Sequence, residues 1–342
     1  MKCKEMMERL IECVPNFSEG RDRQTIESIV CAIQNGGKVK ILNVDPGEAA
    51  NRTVVTFVGS PEDVVEAAFH GVRRAAGLID MRKHHGTHPR LGATDVLPLI
   101  PVSGITLEEC ALLARRLAER IYVELGIPCY CYEAAAFKPE RKNLAVCRSG
   151  EYEALPAKIA DYERRPDFGP ETYTEQAAKA GAVNVGARNF LIAVNFNLNT
   201  KSARLANEIA QDVREKGKAI PGRLKGCKAI GWFIEEYGIA QVSMNITDID
   251  ATPLHKAFEQ VRKTAEERGL EVTGTEIIGL VPKRVLIEAG LYFLGKRQCL
   301  AELSEDEIMQ AAVESMRLDD LRPFHPRDKV LEFLIDGQGQ AF

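Results

Sequence analysis

Three of the six histidines stand within five residues, in the stretch Lys83-His84-His85-Gly86-Thr87-His88-Pro89-Arg90-Leu91-Gly92-Ala93-Thr94-Asp95. Imidazole takes and gives a proton near neutral pH, so acid–base or metal chemistry belongs here if anywhere. For a metal, the spacing of His84 and His88 would place two ligands on one helix face, as in metallohydrolases. Gly86 and Pro89 work against a helix, and the glutamate of an H-E-x-x-H motif is absent. A metal-dependent hydrolase built on His84, His85 and His88 is therefore the weaker alternative, and no metal is expected. The stronger reading is proton transfer by one imidazole. Pro89 confines His88 to an extended backbone, and an apolar run, Val96 to Val102, follows at once. His84 and His85 read as supporting or solvated residues of a basic loop. Asp45, followed by Pro46-Gly47, either bonds its own turn or points a carboxylate into a groove. Asp95 reads as structural.

The elements that must hold these groups follow from composition and periodicity. A chain of 342 residues exceeds what one core usually organises, so two domains are expected. The net charge of −4 gives no reason to expect nucleic acid as a partner, and no apolar run approaches the roughly 20 residues that span a bilayer. Met1 to Leu10 carries charges and lacks a signal peptide's apolar centre, so it reads as a short tail. Nine cysteines, an odd count without a secretion signal, suggest free thiols in a reducing cytoplasm. Cys129 and Cys131 lack the spacing of a zinc knuckle and read as core packing.

Leu10–Pro15 reads as a first strand running into a polar loop, and Thr25 to Asn35 has helical apolar spacing. Strands follow at 39–44 and 52–58, joined by a turn at Asp45-Pro46-Gly47. Ser60, with Asp63 three residues on, resembles a capping box for a helix to about Leu78. After the histidine loop come the strand at 96–102, a helix capped by Thr106 and a strand at 128–132. The residues from Ala134 to Pro170 are rich in charge and proline, with a short helix opening near Tyr152, and Ala177 to Gly186 reads as a small-residue loop. The second half, from Phe190, runs β-α-β-β-α-β-α. The fold class is therefore α/β, an α+β sandwich of two similar split β-α-β (ferredoxin-like) units, 1–187 and 188–342, with a ligand groove between them. The asparagines of Asn195-Phe196-Asn197 and Ser243-Met244-Asn245 alternate along strands. Each pair shares one face, so Asn195 and Asn245 either contact substrate or face solvent.

Several long segments resemble one family. They include Glu12-Cys13-Val14-Pro15-Asn16-Phe17-Ser18-Glu19-Gly20, Asn51-Arg52-Thr53-Val54, His88-Pro89-Arg90-Leu91-Gly92-Ala93 and Gly150-Glu151-Tyr152-Glu153-Ala154-Leu155. Pro166-Asp167-Phe168-Gly169-Pro170, Gly186-Ala187-Arg188 and Pro221-Gly222-Arg223-Leu224-Lys225 continue the match across nearly the whole chain. The family they resemble is glutamate formimidoyltransferase, in a form without a fused cyclodeaminase. The resemblance implies transfer of a formimino group from N-formimino-L-glutamate to N5 of tetrahydrofolate, in histidine breakdown. N-formyl-glutamate or formimino-glycine is the alternative donor. It places the catalytic histidine at His88 and a substrate-site carboxylate at Asp45. It also lays the folate loop over Gly169 to Gly181, with Gly169, Pro170, Tyr173 and Gly181 as contacts, although the tryptophan of the vertebrate loop is missing. Relatives suggest a homodimer, with a separate cyclodeaminase as a further partner.

That chemistry suits the residue types. N5 attacks an amidine carbon, and the glutamate amine leaves from a tetrahedral intermediate. The attacking nitrogen loses a proton and the leaving nitrogen gains one, which one imidazole can manage in turn. Arg90 and Arg188 are the expected carboxylate partners, since a guanidinium fork binds carboxylates bidentately.

Overall fold

The computed structural model describes residues 9–215, 222–296 and 303–337. Most of the expected tail and Pro221 of the family-like segment lie outside the described residues. The chain divides into two units, Met1–Asn189 and Phe190–Ala341. Among the described residues no helix is long and apolar enough to cross a membrane.

The first unit runs β1 (Leu10–Cys13), β2 (Asn16–Phe17), α1 (Arg23–Gly36), β3 (Val39–Gly47), β4 (Arg52–Gly59), α2 (Pro61–Leu78), β5 (Thr94–Ser103), α3 (Leu107–Leu125) and β6 (Cys129–Glu133). It continues through α4 (Leu144–Cys147), α5 (Leu155–Ala160), α6 (Glu175–Ala180) and β7 (Val183–Ala187). Pro15, which has no N–H to give a ladder, separates β1 from β2, and both lie between β4 and β5 as one interrupted strand. The sheet order is thus β3, β4, β1/β2, β5, β7, β6, antiparallel up to β5 and parallel beyond it. Helices α1 to α3 bury Ile29, Ile33, Phe69, Val72 and Leu117 against Ile11, Cys13, Val55, Phe57, Leu97 and Leu99. The alternate residues of those strands, Asn16, Arg52, Thr56 and Val96 among them, occupy the other face.

A bulge decides which face Asp45 takes. Between Ile41 and Asn43 the register of β3 on β4 shifts, so Leu42 is an extra residue. Simple alternation would put Asn43 and Asp45 on the core face with Ile41. The bulge resets the count, leaving Val44 opposite Val55 in the core and Asp45 opposite Val54 on the polar face. Asp45-Pro46-Gly47 is not the turn expected there. The strand continues to Gly47, opposite Arg52, and the chain reverses at Glu48–Asn51. Pro46 is tolerated because β3 pairs on one side only.

The small-residue stretch Ala177–Gly186 also departs from expectation: it forms α6 and then β7, a central strand between β5 and β6. Small side chains are required because neighbours approach closely. A Cβ on Gly186 would lie 2.4 Å from a ring carbon of Tyr132. The helix caps fall where the sequence puts them. Thr106 and Glu109 form a full capping box. At α2 the shorter Asp63 does not close the box. Its carboxylate accepts from the Ser60 hydroxyl at 2.7 Å and from the Lys38 amide at 3.0 Å, tying the helix to β3's approach.

The second unit runs β8 (Ile192–Leu198), α7 (Ala203–Val213), β9 (Cys227–Ile234), β10 (Ile239–Ile246), α8 (Leu254–Glu266) and β11 (Val272–Ile278), then α9 (Lys283–Lys296), α10 (Glu305–Met316), α11 (Pro326–Lys329) and α12 (Leu331–Ile335). Its four strands lie in the order β11, β8, β10, β9, all antiparallel, the split β-α-β arrangement read from the alternation. Val194, Phe196, Val242 and Met244 face Ile209, Phe258 and Val261 in the core. The mixed α/β class and the two-unit organisation expected from the sequence are both present.

Candidate functional site

The histidine loop rests on the turn between β3 and β4. Asn51 closes that turn with φ 47° and ties it to its neighbours. Its carbonyl accepts from His84 Nε2 at 2.9 Å, its Nδ2 donates to the His85 carbonyl at 2.9 Å, and its Oδ1 accepts from the Gly20 amide at 3.0 Å. Thr87 adds bonds from its amide and hydroxyl to the Ala49 carbonyl. A Cβ on Gly86 would stand 2.2 Å from the Ala50 carbonyl oxygen, so only glycine lets the two segments meet. His84 is buried, not solvated: its ring is a peg between loop and hairpin. Its Nδ1 has no partner among the described residues, and burial lowers its basicity. His85 is exposed.

His88 is half-buried, and its Nδ1 lies 2.7 Å from the Pro89 carbonyl oxygen. A carbonyl only accepts, so Nδ1 carries the hydrogen and Nε2 is the basic nitrogen. Behind the loop, Asp95 is fully buried. Its carboxylate accepts from Arg52 Nη1, from Arg148 Nη2 at 2.6 Å and Nε at 3.3 Å, and from the Leu91 amide at 3.0 Å. Arg52 Nε donates onward to Asn16 Oδ1 at 3.0 Å.

These charges set one another's protonation. Burial, then the two guanidiniums, push His88 from 6.5 down to about 3, so it stands neutral at physiological pH with Nε2 unprotonated. Burial alone would raise Asp95, but Arg148 and Arg52 outweigh it and hold the carboxyl below the ordinary range. Burial lowers Arg52 to about 10, against the pull of Asp95, and Arg148 adds to the lowering. Arg52 and Arg148 are the residues that sequence reasoning missed. Arg52 stands in the family-like Asn51–Val54 segment, the one signal that could have found it. Arg148 precedes Gly150, just outside another such segment.

The structure brings some expected site residues together and leaves others elsewhere. Asp45, half-buried, is paired across β4 through Val54 with Asn16, and that row continues to Val96 and Asn184. Asp45 therefore shares a sheet face with Asn16, the residue that orients Arg52. Arg90 is buried, and its fork is filled by the chain's own Glu153, at 2.8 and 2.6 Å, with Glu151 at 3.2 Å. Arg188, at the end of β7, is half-buried, donates to the Asn189 carbonyl at 2.9 Å and lies against Tyr132.

In the segment from Gly169 to Gly181, Gly169 and Pro170 follow Phe168, which pairs with Cys129. Tyr173 is exposed and donates to the Tyr152 hydroxyl at 3.4 Å. Gly181, with φ +70°, passes so close to Leu91 that a Cβ would lie 2.2 Å from its carbonyl oxygen. Bonds from Ala182 N to Leu91 O and from Ala93 N to Ala180 O zip this segment to the residues after His88.

In the second unit, Asn195 and Asn245 do lie on the sheet face away from the core. Asn195 is buried and donates to Glu276 at 3.1 Å, whereas Asn245 is exposed. Asn197 and Gln241, also buried, extend this polar network. Among the described residues, no group of three or more histidine, cysteine, aspartate or glutamate side chains could hold a metal ion.

Residues 10–188 match the formiminotransferase domain, N-terminal subdomain, and residues 193–336 match the formiminotransferase domain. The glutamate formimidoyltransferase of Streptococcus pyogenes serotype M1 is 42% identical over 84% of this chain and 94% of its own. That of Thermoplasma acidophilum is 44% identical over 83% of this chain and 92% of its own. The formimidoyltransferase-cyclodeaminase of Mus musculus is 45% identical over 97% of this chain, which spans 61% of that relative's length.

Proposed function

Because the chain belongs to the formiminotransferase family, we propose that it transfers the formimino group of N-formimino-L-glutamate to N5 of tetrahydrofolate, releasing L-glutamate and 5-formimidoyltetrahydrofolate. The observation that carries this reading is the tautomer of His88. With Nδ1–H fixed on Pro89, Nε2 is a base in the state the reaction needs first. N5 attacks the amidine carbon while His88 Nε2 takes the proton. The resulting imidazolium then protonates the departing glutamate nitrogen, so the base of one half-reaction is the acid of the next.

Asp45 has the chemistry to hold the protonated, more electrophilic formamidinium by a charge-assisted hydrogen bond. The segment with Gly169, Pro170, Tyr173 and Gly181 is the folate loop, and its zipper to Leu91 supports a role beside His88. Arg188, Asn195 and Asn245 are the further substrate contacts. Arg90, whose two terminal nitrogens pair with Glu151 and Glu153, acts by holding the loop. The reaction needs no metal. The setting is a cytoplasmic homodimer in histidine breakdown.

The test is a donor panel assayed with tetrahydrofolate: N-formimino-L-glutamate, N-formyl-L-glutamate and formimino-glycine. Turnover is expected with the first. Turnover with another donor alone would reassign the activity, and no turnover with any would end the reading.

A further inference from the structure

We propose that the outward edges of Arg52 and Arg148, held together by Asp95, form a carboxylate subsite beside His88. Two guanidiniums share one buried carboxylate, which leaves one positive charge in excess. Both reach the same oxygen, Oδ2 of Asp95. Arg52 uses Nε and Nη1, and Arg148 uses Nε and Nη2. Arg52 Nη2 and Arg148 Nη1 have no partner among the described residues.

The Arg148 side chain is 16% exposed and that of Arg52 9%, so neither is sealed in. Arg90, by contrast, is paired with both Glu151 and Glu153, so its charge is already compensated. Guanidinium donors with an uncompensated charge fit a carboxylate. In the proposed reaction such a group comes from two sources, the amino-acid donor and the glutamyl tail of the folate. This inference rests on that reaction for its ligands.

Occupancy would also be felt at His88. The charged groups near it include Arg52, Arg148 and Asp95, with Tyr132 against the arginines. An anion on the arginines offsets the charge that opposes protonation of the imidazole. Binding would therefore prepare His88 to hold the proton it must pass to the leaving nitrogen.

The test is equilibrium binding of L-glutamate and, separately, of folate to wild-type protein and to R148Q, with the His88 ring followed by nitrogen NMR across pH. Neither measurement needs turnover. Failure in the donor panel with intact glutamate binding would sink the reaction and leave the subsite standing. R148Q is expected to weaken one ligand by about 10- to 100-fold, the loss typical of a hydrogen bond to a charged group. Weaker glutamate identifies the donor's carboxylate, and weaker folate identifies the tail. Wild-type His88 is expected to titrate at higher pH with that ligand bound. If R148Q does not fold, R148K keeps the charge on Asp95, loses the fork and replaces it in the same measurement. A variant that binds both ligands as wild type does, or a wild type that binds neither, overturns the proposal.

Discussion

The Asn51 carbonyl accepts a hydrogen bond from His84 Nε2 at 2.9 Å, so the hairpin beside Asp45 and the loop carrying His88 are fastened to each other. Replacing His84 with alanine leaves that carbonyl unpaired and opens a cavity under the loop. A loss of about 1–3 kcal/mol in unfolding free energy is expected, with faster amide exchange from residue 82 to residue 90. Unchanged exchange in that loop would show that the peg carries no load.

His88→Ala removes the proposed acid–base group and little else. The transfer rate is expected to fall by about 10² to 10⁴ while folate still binds. Turnover equal to wild type would end the assignment of His88.

Stability should depend on His88 with a definite sign. Its folded-state pKa, about 3, lies below the ordinary 6.5, so on acidification the unfolded chain takes up the proton first. Stability is therefore unaffected above about pH 6.5 and falls as pH drops from there towards 3. Asp95, lowered when folded, adds a loss of the same sign only below its ordinary 3.8. Urea midpoints measured from pH 4.5 to 8 should fall on the acid side in wild type and fall less in His88→Asn. Parallel curves would contradict this.

Asp95→Asn withdraws the one negative charge between two arginines. The expected cost is about 3–5 kcal/mol, the scale for breaking a buried ion pair from one side. A denaturation midpoint near that of wild type would mean that water or another group compensates the cations.

What was legible in the sequence was local. Thr106 and Glu109 announce a capping box because the motif and its hydrogen bonds span four residues. The alternation around Phe196 and Met244 shows because one face of each strand is core. Asn195 was legible as to face but not as to burial, since the neighbours that enclose it come from elsewhere in the chain. The strand at Val183–Ala187 was hidden because its small residues answer to Tyr132, a contact across strands. Arg52 and Arg148 were missed for the same reason: 96 positions separate them, and only folding places both on Asp95.

The extra residue at Leu42 has a consequence for length variation in this chain. Asp45 faces its side of the sheet by virtue of a count, and the count begins at the bulge. One residue added or removed between Leu42 and Asp45 would exchange inside for outside, turning the carboxylate into the apolar core and Val44 out of it. Substitutions at these positions are graded in their effect, but an insertion or deletion is not. The strand can therefore tolerate changes of letter far better than changes of spelling length.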